Sequence, residues 1–360
     1  MNITIVGGGN IGTQFAVLCA EKKHNVIIFS SKPECFTEDL FIVNDNGSVT
    51  NSGTIVLATN NENLAFSKPD IIFITLPAFC MSDIAQKILP YAKKGLYIGL
   101  IPGTGGGECA FRRCIDDVGC TVFGIQRVPS VSRLIQYGKV VRASGYRPHL
   151  HLAAIPHSQT DICCSIVSET LGIPCIGTPN YLNITLTPSN SILHTTRLYT
   201  LFKDYKKGVS YNRDPLFYEE WDDNASQLLF LCDEELQKIC TSLTELDLSF
   251  VKSLKQHYES NTIEKLTKKI KSIKSLQGLE TPMIKSKDGW IPDFSSRYFT
   301  ADFPFGLQII CQIASFISLD VPNMNKILHW YDSVSLNKDT FDYRFFGINN
   351  YSEFLSFYSL

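Results

Sequence analysis

Met1-Asn2-Ile3-Thr4-Ile5-Val6-Gly7-Gly8-Gly9-Asn10-Ile11-Gly12 is the stretch on which the fold turns. Ile3, Ile5 and Val6 predict a short strand, and Thr13 to Leu18 predict a helix. Between them, Gly7-x-Gly9-x-x-Gly12 fits the dinucleotide-binding fingerprint. Each glycine has a mechanical job: Gly7 makes the tight turn, Gly9 lets backbone approach a pyrophosphate, and Gly12 lets the helix pack close to the strand. The helix N-terminus, through Asn10 and Ile11, then offers free N–H groups to the phosphates. A second strand follows at Asn25 to Phe29, so the motif has the strand–turn–helix–strand context that separates it from a generic glycine-rich turn.

Bulk composition narrows the rest. A chain of 360 residues suggests two domains of ordinary size, each able to bury its own core. A net charge of −2 gives no support to a nucleic-acid or anionic-membrane role. A strand starting at Asn2 predicts that no secretory leader precedes the fold. Phe305 to Val321 is the most apolar late stretch, but Gln308, Gln312 and Asp320 interrupt it, which predicts a buried helix rather than a membrane span. Twelve cysteines include no C-x-x-C pair. Cys109, Cys114 and Cys120 lack zinc-like spacing, so no metal site is expected. Reduced, mostly buried thiols of a cytoplasmic protein are the simplest reading.

Beyond the first strand–helix–strand step, Phe41-Ile-Val43, a turn at Asn44-Asp-Asn-Gly47 and Thr54-Ile-Val-Leu57 predict a hairpin. Asp70 to Leu76 and Leu96 to Ile101 are apolar runs of the kind buried on both faces of a parallel sheet. A helix at Glu108–Val118, strands at Thr121–Ile125, Val140–Ala143 and Leu150–Ile155, a helix over Gln159–Leu171 and a strand at Pro174–Gly177 complete this half. The predicted class is α/β: an N-terminal Rossmann-type doubly wound parallel sheet over residues 1–179, followed by a mainly α-helical C-terminal domain over 180–360. Helical periodicity marks Ser191–Lys203, Pro215–Thr241, Asp247–Tyr258, Ile263–Leu276, Pro304–Ser318 and Met324–Val334. The lysines from Lys252 to Lys274 read as a solvated helix face, because Leu254, Ile263, Leu266, Ile270 and Ile273 supply the opposite apolar stripe.

In an NAD enzyme, an acidic residue at the end of the second strand bonds the ribose 2′-OH. Here that strand ends Phe29-Ser30-Ser31-Lys32, with no carboxylate before Glu34. Small hydroxyls beside a cation suit a 2′-phosphate, so NADP is favoured over NAD, with Ser30, Ser31 and Lys32 as its contacts. The alternative is that Lys32 is a solvated loop residue. Leu76-Pro77 and Pro102-Gly103-Thr104 end strands at the sheet's carboxyl edge, where such folds hold ligands, and are expected to border the cofactor.

Two segments of the helical half carry residue types that a hydride-transfer enzyme needs. Asn190-Ser-Ile-Leu-His194 supplies a histidine, whose proton affinity suits an acid working near neutral pH. Arg297-Tyr-Phe-Thr-Ala-Asp302 supplies a carboxylate to orient that imidazole and a guanidinium to clamp a substrate carboxylate. Each has a plainer reading: an ordinary helix histidine, an Arg297–Asp302 ion pair, or Asp302 as a cap before Pro304.

The chain resembles the octopine/nopaline (opine) dehydrogenases along nearly its whole length. The likeness is carried by Gly7-Gly-Gly-Asn-Ile-Gly12, Leu76-Pro-Ala78 and Ile101-Pro-Gly-Thr-Gly-Gly106. Further along come Asn190…His194, Phe217-Tyr-x-x-Trp221, Asp233-Glu-Glu235, Arg297-Tyr…Asp302 and Pro304-Phe-Gly306. The resemblance implies a catalytic pair of His194 and Asp302, with Arg297 holding a keto acid and Arg133 and Trp221 as further substrate contacts. It implies NAD(P)H-dependent reductive condensation of an α-keto acid with an amino acid through an imine, in a cleft between domains, with a homodimer as a candidate assembly. The chain departs from the family at Thr195, where proline is frequent, at Ala301, where glutamate is common, and in Arg127-Val-Pro-Ser-Val-Ser before Arg133. A ketopantoate reductase-like enzyme would need a lysine near these segments, and neither holds one. A non-catalytic NADP-binding sensor keeping the same fold is the remaining alternative.

Overall fold

Residues 1–188, 190–335 and 339–360 are described in the computed structural model. They form two compact units: Met1–Thr185 joined by Glu353–Leu360, and Leu186–Ser352. The division falls after Thr185 rather than at residue 179: Tyr181, just before the short helix Leu182–Thr185, anchors to the first unit by donating its hydroxyl to the Gly103 carbonyl at 3.2 Å. The last helix, Tyr351–Tyr358, returns most of its length to the first unit, where the Tyr358 carbonyl accepts from the Asn180 side chain.

Twelve strands build the first unit. In chain order they are β1 (Asn2–Val6), β2 (Asn25–Phe29), β3 (Asp39–Val43), β4 (Val49–Thr54), β5 (Leu57–Thr59), β6 (Ile71–Ile74), β7 (Tyr97–Leu100), β8 (Thr121–Ile125), β9 (Val131–Gln136), β10 (Val140–Ser144), β11 (Leu150–Ile155) and β12 (Cys175–Gly177). Eight make one sheet in the order β12-β11-β8-β7-β6-β1-β2-β5. Every pairing in it is parallel except β8 with β11. Ile71 to Ile74 are all buried, as a strand covered on both faces must be. The chain leaves β1 for β2 on one side and returns to β6 on the other, so the carboxyl ends of β1 and β6 form the topological switch point.

The expected hairpin is displaced. Asn44 closes the turn by accepting from the Asn46 and Ser48 amides, so the return strand begins at Val49. Leu57–Thr59 instead joins the main sheet beside β2. β4, β3, β10 and β9 make a second sheet that covers helix α1 (Asn10–Glu21). The fit is close: a Cβ at Gly53 would stand 2.6 Å from that of Ala20. The predicted helix 108–118 is broken into Gly107–Ala110 and a wide turn at Cys114–Val118.

The second unit is helical, with Asn190–Phe202, Asp223–Ser242, Ile263–Lys271, Gln308–Phe316 and Pro322–Val334 as its longer members. It also contains an unforeseen hairpin, β13 (Met283–Ser286) with β14 (Gly289–Pro292). Several helices are shorter than their periodicity suggested, two of them markedly. Residues 215–221 form turns rather than helix, and only Leu254–His257 is helical between 247 and 258. The Asp233-Glu-Glu235 motif is structural: Asp233 accepts from the Leu254 amide, and Glu235 accepts from the Asn323 and Met324 amides, capping Pro322–Val334 from another helix. Lys265, Lys268 and Lys269 are exposed while Leu266 and Ile270 are buried, as a solvated face requires. No helix among the described residues is long and apolar enough to cross a membrane.

Candidate active site

The glycine-rich turn has the shape the fingerprint demands. Gly7 sits at φ +103°, a conformation that L side chains rarely adopt. A Cβ at Gly12 would lie 1.8 Å from the Gly7 carbonyl oxygen, so only glycine lets α1 approach. A Cβ at Gly9 would meet nothing within 4 Å, which leaves its backbone open to a ligand. No side chain caps α1, and among the described residues the amides of Asn10, Ile11 and Gly12 find no protein acceptor. Three free N–H groups at the positive end of a helix suit a pyrophosphate. The Asn10 side-chain oxygen is not available, since it accepts from the Leu134 amide at 2.8 Å.

Thr75 ties this turn to the end of β6 by donating to the Val6 carbonyl at 3.0 Å, which brings Leu76 beside Gly7, with Pro77 following it. Pro102, Gly103 and Thr104 follow β7, and the Gly103 amide donates to Ile125 at 2.8 Å. At the end of β2, Ser30 is buried and its hydroxyl is already committed to Tyr137 at 3.1 Å and to the Lys32 amide at 3.2 Å. Ser31 and Lys32 are exposed, so of the three residues expected at the adenosine ribose these two remain available. Arg133 is exposed on β9, directly opposite Arg142 on β10. Two like charges paired across strands repel unless an anion lies between them.

In the second unit the expected proton-handling pair is in contact. His194 lies in the first turns of Asn190–Phe202, and its Nδ1 stands 2.8 Å from Asp302 Oδ2. Both side chains are largely buried, at 10% and 17% exposure. A carboxylate can only accept, so Nδ1 carries a proton; Nε2 accepts a hydrogen bond when the ring is neutral and donates one when the ring is protonated. Asp302 caps nothing with its side chain, and no Arg297–Asp302 ion pair exists among the described residues. Both plainer readings of Asp302 therefore fail.

Nε2 is also occupied. The Tyr218 hydroxyl lies 2.7 Å from it, a partner that pattern reading missed. Tyr298 packs on the imidazole at 4.8 Å between centroids, and Phe217 meets it edge-on at 5.5 Å. Burial, with the negative charge of Asp302 and the neighbouring tyrosines, pushes the Tyr218 phenol well above the usual tyrosine range, so it stays un-ionised.

Behind Tyr218, Trp221 stacks parallel at 6.5 Å and is 1% exposed. Its indole N–H donates to Ser226, so Trp221, expected as a substrate contact, is here a buried support behind Tyr218 with its polar atom already engaged. The segment is clamped by Arg197, one helical turn after His194. Its guanidinium donates to the Phe217 and Glu220 carbonyls and to Asp222, and lies over the Trp221 ring at 5.5 Å. Arg197 is itself fully buried, and its removal would leave those acceptors unpaired. The His194-x-x-Arg197 spacing and the aromatic string Phe217-Tyr218-x-x-Trp221 were the available signals. Arg297 is exposed, one residue before Tyr298, and its guanidinium has no hydrogen bond or ion pair among the described residues. A cation that is free and adjacent to the histidine's aromatic wall suits a substrate anion.

Comparison with known proteins agrees with this architecture. A family described as NAD/NADP octopine/nopaline dehydrogenase, alpha-helical domain, matches residues 177–335. Another, the NAD-dependent glycerol-3-phosphate dehydrogenase N-terminus, matches residues 2–107. The chain is 25% identical over 357 residues to octopine dehydrogenase of Mizuhopecten yessoensis, covering 92% of this chain and 89% of that one. It is 26% identical over 293 residues to tauropine dehydrogenase of Arabella iricolor, covering 76% and 73%. Among solved structures, octopine dehydrogenase with NADH and L-arginine superposes with a TM-score of 0.86 at 22% identity, over 99% of this chain and 98% of that one.

Proposed function

This chain belongs to the octopine/nopaline (opine) dehydrogenase family, and from that premise we propose how its residues carry out the reaction. It is an NAD(P)-dependent oxidoreductase acting on CH–NH bonds, an opine dehydrogenase. An α-keto acid and an amino acid condense, lose water to form an imine, and the imine is reduced to a secondary-amine dicarboxylate. Gly7, Gly9 and the amides of Asn10, Ile11 and Gly12 would hold the pyrophosphate, and Leu76, Pro77 and Pro102–Thr104 would border the nicotinamide. When bound, the dihydronicotinamide supplies the hydride for the imine carbon.

The observation that carries the assignment is the 2.8 Å contact between His194 Nδ1 and Asp302 Oδ2. Desolvation disfavours a charged imidazole, and an adjacent carboxylate offsets that penalty while fixing the tautomer. His194 is thus the proton source for the oxygen that leaves as water, and Asp302 orients it. Arg297 is proposed to clamp the keto-acid carboxylate, and Arg133, facing Arg142, a second carboxylate. Lys32 and Ser31 favour NADPH over NADH, because a cation and a hydroxyl suit a phosphate and no carboxylate is present to bond a ribose diol. None of the twelve cysteines is joined in a disulfide, which suits a reducing compartment such as the cytoplasm.

The test is oxidation of NADPH and NADH over panels of amines and α-keto acids. Oxidation only when both substrates are present is expected. Oxidation with a keto acid alone would make the chain a simple keto-acid reductase, and none with any pair would leave a sensor.

A further inference from the structure

Neither nitrogen of His194 faces open space. Nδ1 is held by Asp302 at 2.8 Å and Nε2 by Tyr218 at 2.7 Å, while Tyr298 and Phe217 cover the ring. Among the described residues, a proton on Nε2 therefore has one polar partner to pass to, the Tyr218 hydroxyl. We propose that Tyr218 is a catalytic residue whose hydroxyl carries the proton from His194 Nε2 to the carbinolamine oxygen. This proposal rests on the opine dehydrogenase reading.

The step balances as follows in atoms and electrons. The Nε2 proton passes to Tyr218 Oη as the hydroxyl's own proton passes to the carbinolamine oxygen. The C–O bond breaks, its electron pair leaves with water, and the nitrogen lone pair forms the C=N bond. The ring ends neutral, the phenol is regenerated and Asp302 stays ionised. Tyr218 is backed by Trp221 and its segment is clamped by Arg197, so its hydroxyl is fixed in position. Burial that keeps the phenol from ionising also forbids a phenolate intermediate, so both protons move together. The titratable and charged groups facing His194 are Asp302 from the segment before Phe303, Tyr218 from the 215–221 turns and Tyr298 from Arg297–Thr300. Tyr258 lies near Tyr218 behind them. Among these, the phenol of Tyr218 alone touches Nε2.

A rival role is a passive cap that moves aside when substrate reaches Nε2. Tyr218→Phe in the full chain separates the two, because it keeps the ring and removes the hydroxyl. The relay requires kcat to fall roughly 10²–10⁴-fold, the range for a positioned acid. The KM for the keto acid and NADPH binding, followed by fluorescence, should stay within about threefold, and the His194→Ala/Tyr218→Phe double variant should be little worse than the worse single. Single-turnover rates of the unaltered protein in H2O/D2O mixtures should bow downward with deuterium content, because two protons are in flight.

A Tyr218→Phe kcat within about threefold of the unaltered protein overturns the relay. If that variant does not fold, the solvent mixtures decide, and a straight line overturns it. Loss of activity in His194→Ala with retention in Tyr218→Phe removes the relay alone. An unaltered protein that never oxidises NAD(P)H with both substrates present removes the opine reading and the relay with it.

Discussion

Glu108→Gln should remove a fall in stability that the buried carboxyl imposes as pH rises from about 4.5 to about 7. Glu108 follows the loop after β7 and is completely buried. Its Oε1 accepts from the Thr185 and Tyr358 hydroxyls, each at 2.8 Å, while Oε2 is buried without a partner. Burial outweighs those two hydrogen bonds and pushes the carboxyl from 4.5 up to about 7. The folded chain therefore holds this proton more tightly than the unfolded chain. Below about pH 4.5 the group is neutral in both states and imposes no penalty. As pH rises to about 7, the unfolded chain ionises first and stability falls, and above that the loss is constant. At about 1.4 kcal/mol per pKa unit, the loss is on the order of 3 kcal/mol. Glutamine keeps an acceptor for both hydroxyls and cannot ionise. For a unit of this size about 1 kcal/mol moves Tm by roughly 2–4 °C, so between pH 5 and pH 8 the unaltered protein should lose roughly 6–12 °C more than the variant. Comparing the two melts cancels every titration they share, including those of other buried groups. Parallel Tm curves, differing by a constant offset across that range, would refute the reasoning.

The remaining predictions bear on the site. Lys32→Asp should weaken NADPH by about tenfold or more and spare NADH, read as Kd by fluorescence titration; equal losses for both cofactors would sink the 2′-phosphate assignment. Arg297→Lys keeps the charge but loses the planar fork, so the KM for the keto acid should rise more than that for the amine. A change confined to the amine would assign Arg297 to the other carboxylate. His194→Ala should lower kcat roughly 10²–10⁴-fold with NADPH binding unchanged, and Asp302→Asn nearly as much. The pair should be non-additive, and strictly additive losses would mean that the two residues do not act as a unit.

Local patterns were legible wherever one short segment settled its own geometry. Gly7 makes the turn and Gly12 the close helix packing that their spacing assigns, and Gly9 leaves its backbone open, because all three lie within one strand–helix step. The parallel strands could be read because burial on both faces demands apolar runs such as Ile71–Ile74. The hairpin slipped because Asn44 closes its turn through a side chain, a choice that hydrophobic alternation does not encode. Helix lengths failed at 215–221, where Arg197 donates to the Phe217 and Glu220 carbonyls of non-helical backbone, and at 247–253, where the Asp233 carboxylate accepts from the Leu254 amide and so favours a helix that starts only at Leu254.

From the sequence alone come the dinucleotide turn, the α/β class, the helical second half and the residue types able to move a proton. Spatial pairing was decided elsewhere. His194 and Asp302 lie 108 positions apart, and nothing local draws them to 2.8 Å; the packing of Asn190–Phe202 against the segment around Phe303 does. Tertiary packing also buries Trp221 and delivers Tyr218 to Nε2, a contact that no local pattern announces. A side chain's chemistry is written at its own position, whereas its partner is chosen by how distant helices share a core.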